Sequence, residues 1–261
     1  MPQATWCDRV QENVDRFGAL VAGIDPHLPD VPTAFGQDAG WIGRYVDAVL
    51  AAIEGHVGFV KFQSAYFEAW GLTGMAALAA GIRKAAGMGV ILDAKRGDIG
   101  PTAAAYARAY LTPPAAGGNA DFEVDCITVT PLMGPYTLEP FAACARQFGK
   151  GMFVLCRTSN PGAAWLQDQA IGTRRVSDRV ADLIATLAES CRGATALSPI
   201  GAVIGATAPE DGRRLRRILP ASIILAPGLG PQGGDPATLH ALRGDTPADL
   251  LVPVSRGLTR V

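Results

Sequence analysis

Apolar positions fall along this chain in short blocks separated by longer mixed stretches. Runs at 20–25, 57–62, 89–95, 125–130, 151–157, 202–206, 222–227 and 250–255 have the length of buried strands. Strands apolar on both faces suit a parallel sheet that is covered on both sides. Between them, alanine-rich or amphipathic stretches near 41–54, 72–86, 102–111, 137–148, 174–191, 208–218 and 235–243 predict helices. Eight strands joined by helical crossovers predict an α/β protein, and their number predicts a closed (β/α)8 TIM barrel. An open doubly wound sheet would want a glycine-rich dinucleotide loop after its first strand, and GIDPHLPD is not one. A helix predicted over 5–17 precedes the first strand and is placed to cap the bottom of the barrel. Only five residues follow Arg256, so the eighth helix of a standard barrel is expected to be missing. Pro113 to Gly118 reads as a surface loop, and no linker divides residues 1–261, which predicts a single domain.

Composition narrows the class. A net charge of −1 argues against nucleic acid or a membrane surface as the main partner. The five cysteines are scattered, with no CxxC pair, which predicts buried thiols in a reducing, cytoplasmic setting. The N-terminus is polar and amphipathic, unlike a signal peptide, and no apolar run approaches a membrane span. His56 and His240 lack ligand-like spacing to other histidines, cysteines or carboxylates, so no metal site is expected. The RRLRR run at 213–217 reads as a solvated helix face. Asp121, Glu123 and Asp125 alternate before the fourth strand, at the barrel's far end from the chemistry.

The chemistry concentrates in Gly89 to Thr102, GVILDAKRGDIGPT. Asp93 and Lys95 stand two apart at a strand end, so both face one side. Asp98 follows where the chain turns, and Pro101 suits the first turn of a helix. A structural salt bridge would account for the charges alone. Yet only four of the 23 basic residues are lysine, and two of those, Lys61 and Lys95, end apolar runs. Lysine, unlike arginine, can titrate when buried and pass a proton. Lys61 interrupts an apolar run, so its amine needs a partner.

In a barrel enzyme, the remaining site residues belong at the C-terminal strand ends. Asp25 ends the first strand before Pro26, as a turn-former would. Thr130 ends the fourth, and the fifth runs into Thr158-Ser159-Asn160-Pro161, by itself only a turn. LAPGLGPQGGDP after the seventh strand is a glycine-rich loop before a helix, with Asp235 and Pro236 as N-cap and N1. Its glycines let backbone N–H groups approach an anion, and Arg256 ends the eighth strand beside it.

The run Asp93, Lys95, Asp98 with Ile99 and Thr102 resembles the DxKxxD signature of the orotidine 5'-monophosphate decarboxylase family. Related phosphate-binding decarboxylases share that signature. Matches at six strand ends in order, and especially the SNPG turn, resemble the family's longer-chain bacterial branch. The resemblance implies a cofactor-independent decarboxylase with an alternating array of Lys61, Asp93, Lys95 and Asp98. It implies that Lys95 stabilises and protonates the C6 carbanion of orotidine 5'-monophosphate. It further implies that Asp25 binds the ribose, Ser159 the pyrimidine, and Gln232, with Gly233 beside it, and Arg256 the 5'-phosphate. Ile99, Thr102 and Thr130 would line the substrate site. A homodimer is implied, with Asp98 and Thr102 reaching the neighbour's site. Three other readings share these features: a magnesium-dependent sugar-phosphate decarboxylase, a Schiff-base aldolase, and a barrel that only binds a nucleotide. The first should carry a carboxylate near Lys61. The second needs a neutral amine, which flanking carboxylates oppose.

Overall fold

The barrel is closed from below by its first helix. In this computed structural model, which describes residues 4–192, 196–207, 209–229, 233–234 and 236–259, α1 spans Trp6–Phe17. Thr5 and Asp8 form its capping box: Asp8 Oδ2 accepts the Thr5 N–H at 2.9 Å, and Thr5 Oγ1 accepts the Asp8 N–H at 3.3 Å. Trp6, Val10 and Val14 recur at helical spacing and bury one stripe. The Trp6 ring lies edge-on to Phe59 and Phe153, 6.2 Å from each. Glycine at 151 permits this, because a Cβ there would stand 2.4 Å from the indole. Deleting a tryptophan from such a core costs roughly 3–5 kcal/mol.

Eight parallel strands form the wall: β1 (Leu20–Ile24), β2 (Phe59–Gln63), β3 (Gly89–Arg96), β4 (Cys126–Val129), β5 (Gly151–Arg157), β6 (Ser198–Ile204), β7 (Ser222–Leu225) and β8 (Leu250–Val254). They pair in chain order, and β1 closes on β8 through Leu20↔Val252. The helices that follow them are α2 (Trp41–Ile53), α3 (Ser64–Glu68), α4 (Gly71–Lys84), α5 (Gly100–Leu111), α6 (Glu139–Phe148), α7 (Val176–Ser190), α8 (Pro209–Ile218) and α9 (Pro236–Leu242). The predicted barrel and its capping helix are therefore present. After β8, the described residues add a single turn, α10 (Arg256–Thr259), where the other strands have full helices.

Strand alternation splits the apolar residues into two cores. Phe59, Ile91, Cys126, Phe153 and Leu225 fill the barrel interior against α1. Val60, Phe62, Leu92, Ile127 and Val154 face the helices. Residues two beyond the interior set must also point inward, at the open end. That parity places Lys61 after Phe59, Asp93 after Ile91, Thr128 after Cys126 and Leu155 after Phe153.

Some local expectations fail. α3 follows β2 directly at Ser64 and buries Phe67 on a short helix that the apolar pattern does not separate from the strand. Between β5 and α7 a small antiparallel ribbon pairs Ala170–Ile171 with Arg174–Arg175. The RRLRR run is not a solvated face. Arg216 is buried and donates to the carbonyls of Leu242, Leu219, Ser222 and Asp249 at 2.7–3.0 Å. It ties α8 to α9 and to the approaches of β7 and β8. Arg214 pairs with Asp178 and Asp211, which leaves Arg213 and Arg217 exposed. At the barrel bottom, Asp125 accepts the Val90 N–H at 2.8 Å and pairs with Arg9. The expected N-cap at Asp235 lies outside the described residues.

Candidate active site

The open, C-terminal end of the barrel holds a cavity of about 540 Å³. Its walls differ in character. Asp25, Lys61, Asp93, Lys95 and Thr128 make a charged side from β1 to β4. Leu155, Val203 and Leu225 make an apolar floor from β5 to β7. Gly228, Leu229, Arg256 and Gly257 make a rim from the β7 and β8 loops.

The charged side is one connected array. Lys61 Nζ lies 3.2 Å from Asp93 Oδ2 and 3.6 Å from Asp25 Oδ1. Lys95 Nζ lies 2.6 Å from Asp93 Oδ1. Lys61 has a side chain only 8% exposed, and burial is the largest influence on its ammonium, pushing the pKa down. Asp93 and Asp25 together outweigh it, so the net shift is upward and Lys61 is a fixed cation. Burial likewise pushes Asp93 up, but Lys61, then Lys95 and the Thr128 hydroxyl, bring it down to about 2. Two ammoniums against two carboxylates leave the cluster neutral, which limits the cost of burying it.

Lys95 owes its place to a break in the sheet. Leu92 pairs with Ile127 and Arg96 with Val129, so four steps of β3 oppose two of β4. Within this bulge Lys95 has φ +49°, the only positive φ among the described non-glycine residues. Such a conformation in a residue with a Cβ costs roughly 1–3 kcal/mol and persists only where its surroundings fix it. Thr128 helps to fix it. Its Oγ1 accepts the Lys95 N–H at 2.9 Å and donates to Asp93 Oδ1 at 2.8 Å.

The expected site residues divide into three groups. Lys61, Asp93, Lys95, Asp25, Ser159 and Arg256 line the cavity together. Asp98 does not join the array within its own chain. Its Oδ1 accepts the Ile99 N–H at 2.8 Å, and among the described residues it makes no ion pair with Lys61 or Lys95. Asp25 takes the fourth place instead. Ile99 and Thr102 are exposed on the β3 loop and the first turn of α5, outside the chain's own cavity. Thr130 also stands outside. β4 ends at Val129, and Thr130 turns to pack its methyl against Gly97, where a Cβ would be 2.4 Å away. The hydroxyl in the site is Thr128, two residues earlier. Gly233 has φ +73° and does not line the cavity, while Gly234 N–H donates to Gly228 O at 2.8 Å, folding the β7 loop back on itself. Gln232 lies outside the described residues.

Several lining residues escape the sequence reading: Thr128, Gln63, Asn160 and Gln167. Parity with Cys126 was the available signal for Thr128. Gln167 Oε1 accepts the Thr158 N–H at 2.7 Å, and Asp168 takes both Nε and Nη2 of Arg157 at 2.9 Å. These paired contacts from the loop before the ribbon fix the two residues that lead into Ser159. No spacing rule links residues 157–158 to 167–168, so only the folded loop reveals them. Among the described residues no group of three or more His, Cys, Asp or Glu is placed to hold a metal ion. The space between Asp25 and Asp93, which a divalent ion would need, is filled by the Lys61 ammonium.

The chain is similar in sequence and in fold to orotidine 5'-phosphate decarboxylases. A sequence model of the orotidine 5'-phosphate decarboxylase / HUMPS family matches residues 21–260. An orotidine 5'-phosphate decarboxylase of Salinispora arenicola is 41% identical over 253 residues, covering 95% of this chain and 87% of that one. Another, of Rhodopirellula baltica, is 36% identical over 264 residues, covering 97% and 87%. The structure of Leishmania donovani OMP decarboxylase superposes with a TM-score of 0.79 at 32% identity, covering 98% of this chain and 91% of that one. By sequence over nearly its whole length and by the barrel that carries its charged pocket, the chain belongs to the orotidine 5'-phosphate decarboxylase / HUMPS family.

Proposed function

We propose that this pocket converts orotidine 5'-monophosphate to UMP and CO2 in pyrimidine biosynthesis, with Lys95 as the proton donor. The observation that carries this is the place of Lys61. A magnesium-dependent sugar-phosphate branch of the family would need an oxygen ligand near that point. An ammonium held between Asp25 and Asp93 supplies positive charge there instead.

Breaking the bond between C6 and the carboxylate leaves its electron pair on C6, in the plane of the ring. Nothing in the ring can delocalise that pair, so a fixed cation must stabilise it by position. Lys95 Nζ, held 2.6 Å from Asp93, is such a cation. As CO2 leaves, one Nζ proton passes to C6 and the neutral amine is reprotonated from solvent. Asp93, held ionised by both lysines, fixes the direction of the Lys95 ammonium. Arg256, on the opposite rim, suits the 5'-phosphate, and Ser159 suits the polar edge of the pyrimidine. Binding energy gathered at the phosphate can orient the ring over the charged wall.

The same reading includes a cytoplasmic homodimer. Its support is the surface around Asp98 and Thr102. Ile99, Leu132, Met133 and Tyr136 are each more than half exposed, on loops joined by the Thr130–Gly97 contact. A second copy seated there would cover that apolar area and bring Asp98 to the neighbour's array. A fully active monomer in sedimentation equilibrium would overturn this arrangement.

The test is ultraviolet-monitored turnover of orotidine 5'-monophosphate in excess EDTA, for the parent and for Lys95→Ala. Turnover that collapses in the variant supports the reaction and the proton donor together. No turnover by the parent, with activity on a sugar-phosphate acid once magnesium is added, would place the chain in the family's other branch.

A further inference from the structure

Lys95 carries the strained backbone and the proton, and the side chain of its neighbour also ties down the bulge. Arg96 bends back so that Nη1 donates to Ala94 O at 3.2 Å, which straddles Lys95 from one side to the other. Its Nη2 pairs with Glu68 at the end of α3. Glu68 is itself fixed by the Ser64 hydroxyl at 2.5 Å. The guanidinium lies 5.5 and 5.9 Å from the ring centroids of Tyr106 and Tyr110 on α5. On the backbone side, Arg96 O accepts the Thr130 N–H at 2.9 Å, at the point where pairing with β4 resumes. Arg96 is not among the residues that line the cavity.

We infer that Arg96, anchored by Glu68, is a positioning residue for the proton donor: its bridge from Ala94 O to α3 and α5 holds Lys95 at positive φ and so aims Nζ into the site. The geometry gives the reason. The positive φ of Lys95 is not favoured locally, so residues on both sides of it must be held. Thr128 holds the Lys95 N–H from inside the barrel, and Arg96 holds the flanking peptide from outside. A planar fork suits this task, because one side chain must reach a carbonyl, a carboxylate and two aromatic faces together. Lysine could make only one of those contacts well.

This inference rests on the decarboxylase reading, and the two fail differently. The experiment measures kcat and KM for orotidine 5'-monophosphate in the parent, Arg96→Met, Arg96→Lys and Glu68→Gln, each alone and with Lys95→Ala. An inactive parent would overturn the decarboxylase reading and, with it, the assignment of Arg96 to a proton donor. With an active parent, Arg96→Met is expected to lower kcat by about ten- to a hundredfold, with KM changed less than about threefold, as when a supporting contact lets a reacting group drift. Arg96→Lys should recover only part of the loss. In the Lys95→Ala background, Arg96→Met should lower kcat no further, because a residue that acts through Lys95 has nothing left to aim. A purely structural role would lower activity in both backgrounds. If Arg96→Met does not fold, Glu68→Gln is read in the same way. Parent-like kcat in the folded variants, or equal losses with and without Lys95, would overturn the assignment.

Discussion

Replacing Lys61 with methionine tests whether the pocket's charges are balanced as a unit. The substitution keeps most of the volume and removes one of two cations from the array. Asp93 has its carboxyl lowered from 3.8 to about 2, with Lys61 the larger of its two cationic neighbours. Nearly two units of pKa correspond to about 2 kcal/mol of stability at neutral pH. Without Lys61, burial pushes that carboxyl upward against Lys95 alone, and Asp25 loses its partner as well. Asp25 is partly exposed, so water replaces some of what it loses. Together these predict a loss of about 3 kcal/mol at pH 7, at the lower end for breaking a buried pair. In a chain of this size, that is a fall in Tm of roughly 6–12 °C. The sign with pH follows from the depressed carboxyl. Its contribution is complete above pH 3.8 and disappears as pH falls through 2. The gap between parent and variant should therefore be widest at pH 7 and narrow below pH 4. Urea unfolding at fixed protein concentration, followed by circular dichroism from pH 7 to pH 3, measures it. A gap below about 1 kcal/mol at pH 7, or one that does not narrow in acid, would refute the balance argued here.

Thr128→Val removes the hydroxyl shared by Lys95 N–H and Asp93, so kcat should fall about tenfold with the fold retained, and unchanged steady-state kinetics would count against its role. Arg256→Ala should lower kcat/KM for the nucleotide by about 3 kcal/mol, roughly a hundredfold, but should leave turnover of a substrate lacking phosphate unaltered. Arg216→Met strands four carbonyl acceptors and should cost at least about 3 kcal/mol in chemical denaturation, while kcat at 25 °C stays at the parent value. The five cysteines are buried, and burial pushes Cys156 up to about 12, so a disulfide reagent should label the native protein slowly and all five thiols promptly in denaturant. Fast labelling of the native chain would show that the barrel opens more readily than this packing allows.

Much of this was legible in the sequence because the barrel repeats one unit. Each apolar run had strand length, each crossover had helical spacing, and charges at the strand ends had to gather at one mouth. Lys61 and Asp93 could be placed by parity with Phe59 and Ile91. Thr130, expected in the site from the resemblance, lies past the end of β4, where the chain turns onto Gly97. The bulge that strains Lys95 was equally hidden. Alternation puts Asp93 and Lys95 on one face, but says nothing of a sheet that slips two residues between Leu92 and Arg96. The resemblance brings Asp98 to the array from a neighbouring copy, and within the chain it is Asp25 that reaches Lys61, from the adjoining strand, a pairing no sequence spacing marks. Arg216 looked solvated because its run is basic. A guanidinium with four carbonyls around it is recognised only when two helices and two strand ends have converged.

The plug formed by α1 has a consequence for how the chain assembles. Trp6 lies on a helix that precedes every barrel strand in the chain, yet its edge-on partners are on β2 and β5, and β5 is made far later. The indole therefore has no complete seat until β5 has been made. Its final environment records barrel closure rather than early collapse. α1 must wait, exposed on one apolar stripe, while the strands that will receive it emerge. α1 is thus made before the strands that seat it. During synthesis, that stripe is apolar surface that an unfinished chain leaves open to the wrong partner.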